Sequence, residues 1–538
     1  MPATVTLRPW QKAALDRIEA SSSPDFLAVA TPGAGKTTFA LTAARRALAA
    51  DPRRRVLVVV PTAHLKAQWA TAADALDLHL DPRWSAADGA LPGDMHGVVA
   101  TYQQVAGCAP ALRAMAGGAF AVFDEVHHAA DDRAWGDAVR VAFEPAARRL
   151  ALSGTPFRSD TQAIPFVRYH LDEAVPDYEY GYGQALAEGG VVRPVYFPRV
   201  DGLMEWSAPD GSLHAHSFED DLGAALSGQR LRTAYSLEGE WLPHVLGQAH
   251  GRLLAIRERQ PAAGGLVIAT DVDHAKGIAR LLRDRVGARA AVVTSDDPDA
   301  SARISRFAAG TEPWIVAVRM VSEGVDIPRL RVGVFATTIT TELFFRQAVG
   351  RLVRWTRGAG RQKSFLYIPD EPRLRARAFA IAEQRRHSLR RDASDDGLAL
   401  DGDGGAEPDE AQPSLFAAIS AVPLGGDVPE WVLDDEAADD PVAGDDLTVP
   451  LPPIAARGPG GPGGRTRREH KEHLRLANAA KSRLIARHTG MTHAKVNAEL
   501  NRVAGLRRIS EATVDQLEKR LRTAEAWLLQ ASARRTGG

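Results

Sequence analysis

Only one cysteine, Cys108, occurs in 538 residues. An internal disulfide is therefore impossible, and a cysteine-rich zinc site cannot form. No apolar run approaches the roughly 20 residues that a membrane-spanning helix needs. The segment Met1 to Trp10 lacks the basic and apolar regions of a signal peptide. A cytoplasmic protein is the simplest expectation from these absences. An excess of one charge sign is missing too, because the formal net charge is −1. That balance says little by itself; the distribution says more. Between Asp392 and Asp446 there is no Lys or Arg, whereas from Arg465 to Arg535 basic residues outnumber acidic ones. Cancelling blocks of this kind mark an acidic linker beside a basic binding element. Internal repeats of solenoid type are absent.

What is there fits a globular chain of three or four domains, at about 150 residues each. Residues 1–165 alternate short apolar runs with Ala-rich helical stretches such as Thr38–Ala50. Phe26–Ala30, Val56–Val60, Val98–Thr101, Phe120–Phe123 and Leu150–Ser153 read as buried strands. A second series spans 262–391, with Gly265–Ala269, Ala290–Val293, Trp314–Val318, Val332–Ala336 and Ser364–Ile368, then a helix to about Arg391. Strand–helix alternation predicts parallel sheets covered on both faces, an α/β fold. Residues 166–261 form a less regular insertion, with a strand near Pro194–Phe197 and a helix near Leu231–Arg257. Residues 392–464 read as a mostly disordered linker, low in aromatics. It holds an apolar island, Leu415–Ile419, then Trp431, and a flexible Gly-Pro run at Gly458–Gly464. Residues 465–538 read as a small basic helical domain, with Thr492 and Thr513 as N-caps.

Ala30-Thr31-Pro32-Gly33-Ala34-Gly35-Lys36-Thr37, between a strand and a helix, reads as a phosphate-binding loop. Gly33 and Gly35 let the backbone wrap closely, and the loop amides and helix N-terminus supply positive potential. Lys36 can reach the outer phosphates, and the Thr37 hydroxyl can ligate Mg²⁺. Asp124 ends the strand Phe120–Phe123, where a carboxylate can hold that metal. Glu125 is placed to polarise the attacking water. His127 links this loop to the next strand end, Ser153-Gly154-Thr155-Pro156. Gln347, Arg351 and Arg354 recur at spacings of four and three, so they fall on one helix face. Guanidiniums there stabilise charge on a transferring phosphoryl group.

These motifs resemble superfamily 2 helicases and translocases of the DEAD/DEAH-box class. The resemblance spans about residues 5–372 and leans to the type I/III restriction-subunit-like branch. It implies two tandem RecA-like lobes with ATP and Mg²⁺ between them. Gln11 in Leu7–Gln11 matches the adenine-reading element, and Ala30–Thr37, followed by Thr38, matches motif I. Asp124–His127 is similar to motif II, with Val126 where Ala is commoner. Ser153–Pro156 is similar to motif III, which gives His127, Ser153 and Thr155 coupling roles. Thr62, Thr101 and Thr270 match positions that touch the nucleic-acid backbone; the alternative for them is ordinary strand-end capping. Gly324 and Asp326 belong to a motif V-like Ser322–Asp326. Gln347–Arg354 matches motif VI, with Arg351 and Arg354 as arginine fingers. Tyr182–Ala185 through Val192–Pro194 resembles the branch's connection between lobes.

The implied activity is that of an ATP-dependent DNA helicase or translocase. DNA over RNA rests on the branch resemblance. An RNA helicase, or a remodelling or signalling ATPase acting on a protein, stays open. A restriction motor with its own nuclease is not the expectation, since the ATPase begins by about Leu7 and no convincing nuclease carboxylate cluster follows it; a nuclease on a separate subunit stays open. The C-terminal element, outside the resemblance, reads as a nucleic-acid-binding module or a protein-docking domain. The acidic segment could shield its basic face.

Overall fold

The structure, a computed structural model, describes residues 4–130, 133–154, 163–170, 173–208, 211–294, 297, 299–318, 327–356, 358–360, 362–390, 417–424, 447–454 and 467–536. Among them no helix is long and apolar enough to cross a membrane. Two parallel sheets of seven strands each dominate. In the first, the order is Tyr178–Tyr180, Asp25–Ala30, Arg148–Ser153, Phe120–Phe123, Val56–Val60, Gly97–Thr101, Leu80–Asp81. Every residue of Val56–Val60 is buried, as a parallel strand covered on both faces requires. All the first-lobe candidate turns therefore leave the same, carboxyl edge of one sheet, where open α/β sheets bind ligands. The second sheet runs Val195–Tyr196, Ser364–Pro369, Leu330–Ala336, Gly264–Ala269, Trp314–Val318, Ala290–Val293, with Arg199–Val200 also on Ser364–Pro369. These are the two RecA-like lobes.

The stretch 166–261 is not one separate insertion. Tyr178–Tyr180 pairs in parallel with the phosphate-loop strand, placing Tyr180 opposite Ala30. Val195–Tyr196 and Arg199–Val200 join the second sheet instead. The helix expected near Leu231–Arg257 is two, Ala224–Ala234 and Trp241–Arg259. The break falls where Gly239 passes close under another strand: a Cβ there would stand 3.0 Å from the Ala421 Cβ. Trp241, Leu246 and Leu253 then pack into the second lobe with Val267 and Val334.

Two pieces of the acidic stretch are strands. Ala417–Pro423 pairs antiparallel with Gly202–Ser207, which pairs with Leu213–Ser217. Leu447–Pro450 pairs antiparallel with Thr4–Leu7. Leu451 is buried in the first lobe, and Arg45 Nε donates to the Pro452 carbonyl at 3.2 Å. Shielding of the C-terminal basic face is thus not the work of these two pieces. Residues 391–416, 425–446 and 455–466, including Leu415, Trp431 and Gly458–Gly464, lie outside the described residues.

Arg467–Thr489, His493–Ala504 and Val514–Thr536 form a three-helix bundle. The Thr492 hydroxyl accepts from the Lys495 amide and that of Thr513 from the Gln516 amide, as helix caps do. Inside, the buried Arg520 donates to the side-chain carbonyls of Asn478, Asn497 and Asn501 at 2.9, 2.6 and 2.9 Å. The bundle docks on the first lobe through Asp94. This buried carboxylate meets Lys471 Nζ at 2.8 Å, Arg467 Nη1 at 3.5 Å and the Val514 amide at 3.0 Å.

Candidate nucleotide site between the two lobes

The chain turns from strand Asp25–Ala30 into helix Lys36–Ala50 through Gly33 at φ 84° and Gly35 at φ 92°. Only glycine adopts that backbone without strain. An N-terminal strap holds the turn. Arg8 Nη1 donates to the Gly33 carbonyl at 3.0 Å, Trp10 Nε1 to Ala34 at 3.0 Å and Gln11 Nε2 to Gly35 at 2.8 Å. In a planar trans peptide, N–H and C=O point opposite ways. The Ala34 and Gly35 carbonyls, turned to the strap, thus leave the amides of Gly35 and Lys36 facing away from it. These amides join the orphan donors of a helix N-terminus. Trp10 is fixed by stacking on Tyr180, with centroids 5.2 Å apart. Gln11 Oε1 accepts from the Arg8 amide. Its amide keeps one donor and one lone pair for a base.

Lys36 Nζ lies 3.2 Å from the Ala30 carbonyl and 3.1 Å from Glu125 Oε1. Glu125 Oε2 accepts from the Gly154 amide at 3.0 Å. Glu125 sits at φ 44°, a left-handed conformation that costs about 1–2 kcal/mol outside glycine. Such strain persists where the surroundings over-determine it. Burial raises the Glu125 pKa, but the Lys36 and His127 charges and both hydrogen bonds outweigh it and hold it well below the usual carboxylate range. Its neighbour behaves oppositely. Asp124 is pushed up, by burial first and by the Glu125 charge second. Trp69 Nε1 donates to Asp124 Oδ2 at 2.8 Å, and Tyr102 Oη to the Asp124 backbone carbonyl at 3.0 Å. Thr37 follows Lys36 in the first helical turn, half-buried. A hydroxyl and a carboxylate suit a hard cation such as Mg²⁺, which takes few protein ligands and keeps others from water and phosphate.

The second lobe closes the other side. Gly350 of helix Glu342–Leu352 packs on the phosphate loop: a Cβ there would come within 2.5 Å of Pro32 Cγ. Gln347 Nε2 lies 3.1 Å from His127 Nε2, across the seam. His127 Nδ1 lies 3.5 Å from Ser153 Oγ. Arg351 is half-buried one turn after Gln347. The helix stops at Leu352, so Arg354 rides on the following turn and not on the expected helix face. That turn is pinned. Val192 and Arg354 form an antiparallel bridge, and the Arg193 amide donates to the Val353 carbonyl at 2.7 Å. Buried Arg193 donates also to the carbonyls of Arg354 and Pro328 and to Thr356 Oγ1. The Arg354 Cγ lies 3.5 Å from where a Gly33 Cβ would stand. A cleft of about 100 Å³ remains, between Thr31 and Pro32 on one side and Arg346 and Val349 on the other.

The candidate backbone contacts are placed differently. Thr101 is buried and caps its own helix, accepting from the Gln104 amide at 3.1 Å. Thr270 Oγ1 donates to the Ala336 carbonyl at 3.3 Å. Thr62 opens helix Ala63–Asp74 without a side-chain cap bond. Thr155, Gly324 and Asp326 lie outside the described residues. Motif reading missed Arg8, Trp10, Trp69 and Tyr102 as site residues, and Arg193 as a pin. A lone Arg in the apolar run Val191-Val192-Arg193-Pro194-Val195 was the one available signal.

Residues 4–158 match the family model described as type III restriction enzyme, res subunit. The phosphate loop and Asp124–His127 both lie within the stretch that is similar to this family. It is 48% identical over 393 residues to the uncharacterized protein Rv2917 of Mycobacterium tuberculosis, covering 72% of this chain and 65% of the relative. With the uncharacterized protein ML1624 of Mycobacterium leprae the identity is 46% over 390 residues, 71% and 65% of the two chains. The chain thus spans just under two thirds of these relatives. Among solved structures, the ATP-dependent type ISP restriction-modification enzyme LlaBIII bound to DNA is similar at TM-score 0.46 and 16% identity, over 93% of this chain and 36% of that one. Saccharomyces cerevisiae Dbp5 bound to RNA and ADP BeF3 follows at TM-score 0.44 and 11% identity, over 70% and 88%.

Proposed function

We propose that this chain is a superfamily 2 motor, a nucleic-acid-stimulated ATPase that moves along or unwinds DNA. The observation that carries the reading is the composite seam, where Pro32, Gly33 and His127 of one lobe meet Gly350, Arg354 and Gln347 of the other, beside the Lys36–Glu125 pair. Gly33, Ala34, Gly35, Lys36, Thr37 and Thr38 would hold the phosphates of ATP, Gln11 the base, and Thr37 with Asp124 the Mg²⁺. Gly324 and Asp326 would complete the set from the second lobe. Bound ATP with Mg²⁺ would supply the phosphoryl group passed to water. Glu125, kept ionised, takes a proton from that water, while Lys36 and Gly154 fix its carboxylate. Arg351 and Arg354 bring positive charge from the second lobe. The Gln347–His127–Ser153 chain joins the hydrolytic loop to the moving lobe. Thr62 and Thr270, both half-buried, would contact the nucleic-acid backbone at the strand ends, whereas buried Thr101 stays with its own helix.

Trp69 is the outer partner of the metal-holding carboxylate in this scheme. Trp69→Phe keeps the ring but removes the indole donor. It is expected to raise the Mg²⁺ concentration for half-maximal turnover by about 10-fold or more. An unchanged Mg²⁺ titration would remove Trp69 from the scheme.

The direct test is ATPase rate with single-stranded, duplex and forked DNA, with RNA, and with no polymer. Stimulation by DNA is expected. Stimulation by RNA alone would make it an RNA helicase. A rate indifferent to every polymer would point to action on a protein.

A further inference from the structure

The C-terminal bundle meets the first lobe at a cavity of about 180 Å³. A water molecule takes roughly 30 Å³ in the liquid, so the space holds a larger group. Arg83, Arg468, Lys471 and Arg475 line it with Asp81 and Glu472. Most of these charges are engaged. Glu472 pairs with Arg83, Asp81 Oδ1 accepts the Arg83 amide at 2.9 Å, and Lys471 serves Asp94. Two guanidiniums are not saturated. Arg475 gives one Nη to the Ser510 carbonyl at 2.7 Å, while its Nε is buried without an acceptor among the described residues. Half-buried Arg468 has no hydrogen bond or ion pair to any described residue. Counting the adjacent Lys66, Arg467 and Asp94, six cations face three carboxylates.

The cavity's neighbour Lys66 ties it to the first lobe's strand ends. Lys66 Nζ donates to Gln104 Oε1 at 2.7 Å. Lys66 lies on the helix that Thr62 opens, and Gln104 on the one that Thr101 opens. Burial pushes the Lys66 ammonium down, and the Arg468 charge pushes the same way, against Asp81.

We propose that this junction binds a backbone phosphate of the nucleic-acid strand, with Arg468 and Arg475 as donors. The inference rests on the nucleic-acid reading given under Proposed function, and it extends the track from the first lobe onto the bundle. A guanidinium fork matches two phosphate oxygens, and such contacts are blind to sequence but sensitive to salt. The Asp94 anchor keeps the bundle's cations in fixed register with the lobe.

The test measures oligonucleotide affinity of the full chain against salt concentration, by fluorescence anisotropy. Arg468→Glu is expected to weaken binding uniformly across sequences. It should also flatten the slope of log K against log salt by about 1. ATPase without nucleic acid stays at the wild-type rate, which reports an intact fold. Arg468→Ala should give the same slope change without the added negative charge. If the wild type binds and both variants keep its slope, the junction site is overturned while the motor reading stands. If the wild type binds no DNA or RNA, both fall.

Discussion

Lys36→Ala is expected to abolish ATP turnover. The ammonium lies between the Ala30 carbonyl and Glu125 Oε1, at the start of a helix whose first amides face the cleft. Its loss removes the one mobile positive charge of the loop. It also leaves Glu125 with only the Gly154 amide and His127 to hold its charge, so burial would raise its pKa. Binding and proton abstraction are thus damaged together. Losing one preorganised donor costs about 10²–10³-fold in kcat, and a second injury takes the rate further down. Stopped-flow nucleotide binding and single-turnover hydrolysis separate the two effects. Turnover near the wild-type rate would dismiss the loop as a phosphate site.

Arg354→Ala should lower kcat by roughly 10³-fold or more while nucleotide affinity changes little. The split is expected because most of the binding elements belong to the first lobe, and Arg354 is not among those of the second. The substitution also spares the backbone of the turn. Val192, the Arg193 amide and the Arg193 side chain all grip main-chain atoms of Val353 and Arg354. Pro32 still packs on Gly350. What is lost is the side chain that lies over Gly33. Equal losses in kcat and in nucleotide affinity would instead mark Arg354 as a seam-packing residue.

Contiguous features were legible in the sequence. The phosphate loop, Asp124-Glu125 and the Gln347 helix each announce themselves within eight residues. A strand end or a helix period sets where each begins, and all three reach one seam, although Arg354 falls past the end of its helix. The supports were not legible, because their partners are remote. Trp69 and Asp124 are 55 positions apart, and Arg193 and Arg354 are 161. Spacing along the chain carries no trace of such pairs. The strands within the acidic stretch were hidden for another reason. Its composition is an average, and a seven-residue strand such as Ala417–Pro423 is lost in it. The helix near Leu231 reads as one, whereas the chain breaks between Ala234 and Trp241, where Gly239 passes close to Ala421 of a strand remote in sequence.

Thr4–Leu7 runs directly into Arg8, Trp10 and Gln11, and it is zipped to Leu447–Pro450 from far along the chain. Trimming the protein after the second lobe to isolate its motor would strip that partner away. An unzipped edge invites aggregation, and the strap that sets the loop carbonyls would lose its footing. Expression boundaries for a minimal motor should therefore keep the residues up to Ile454.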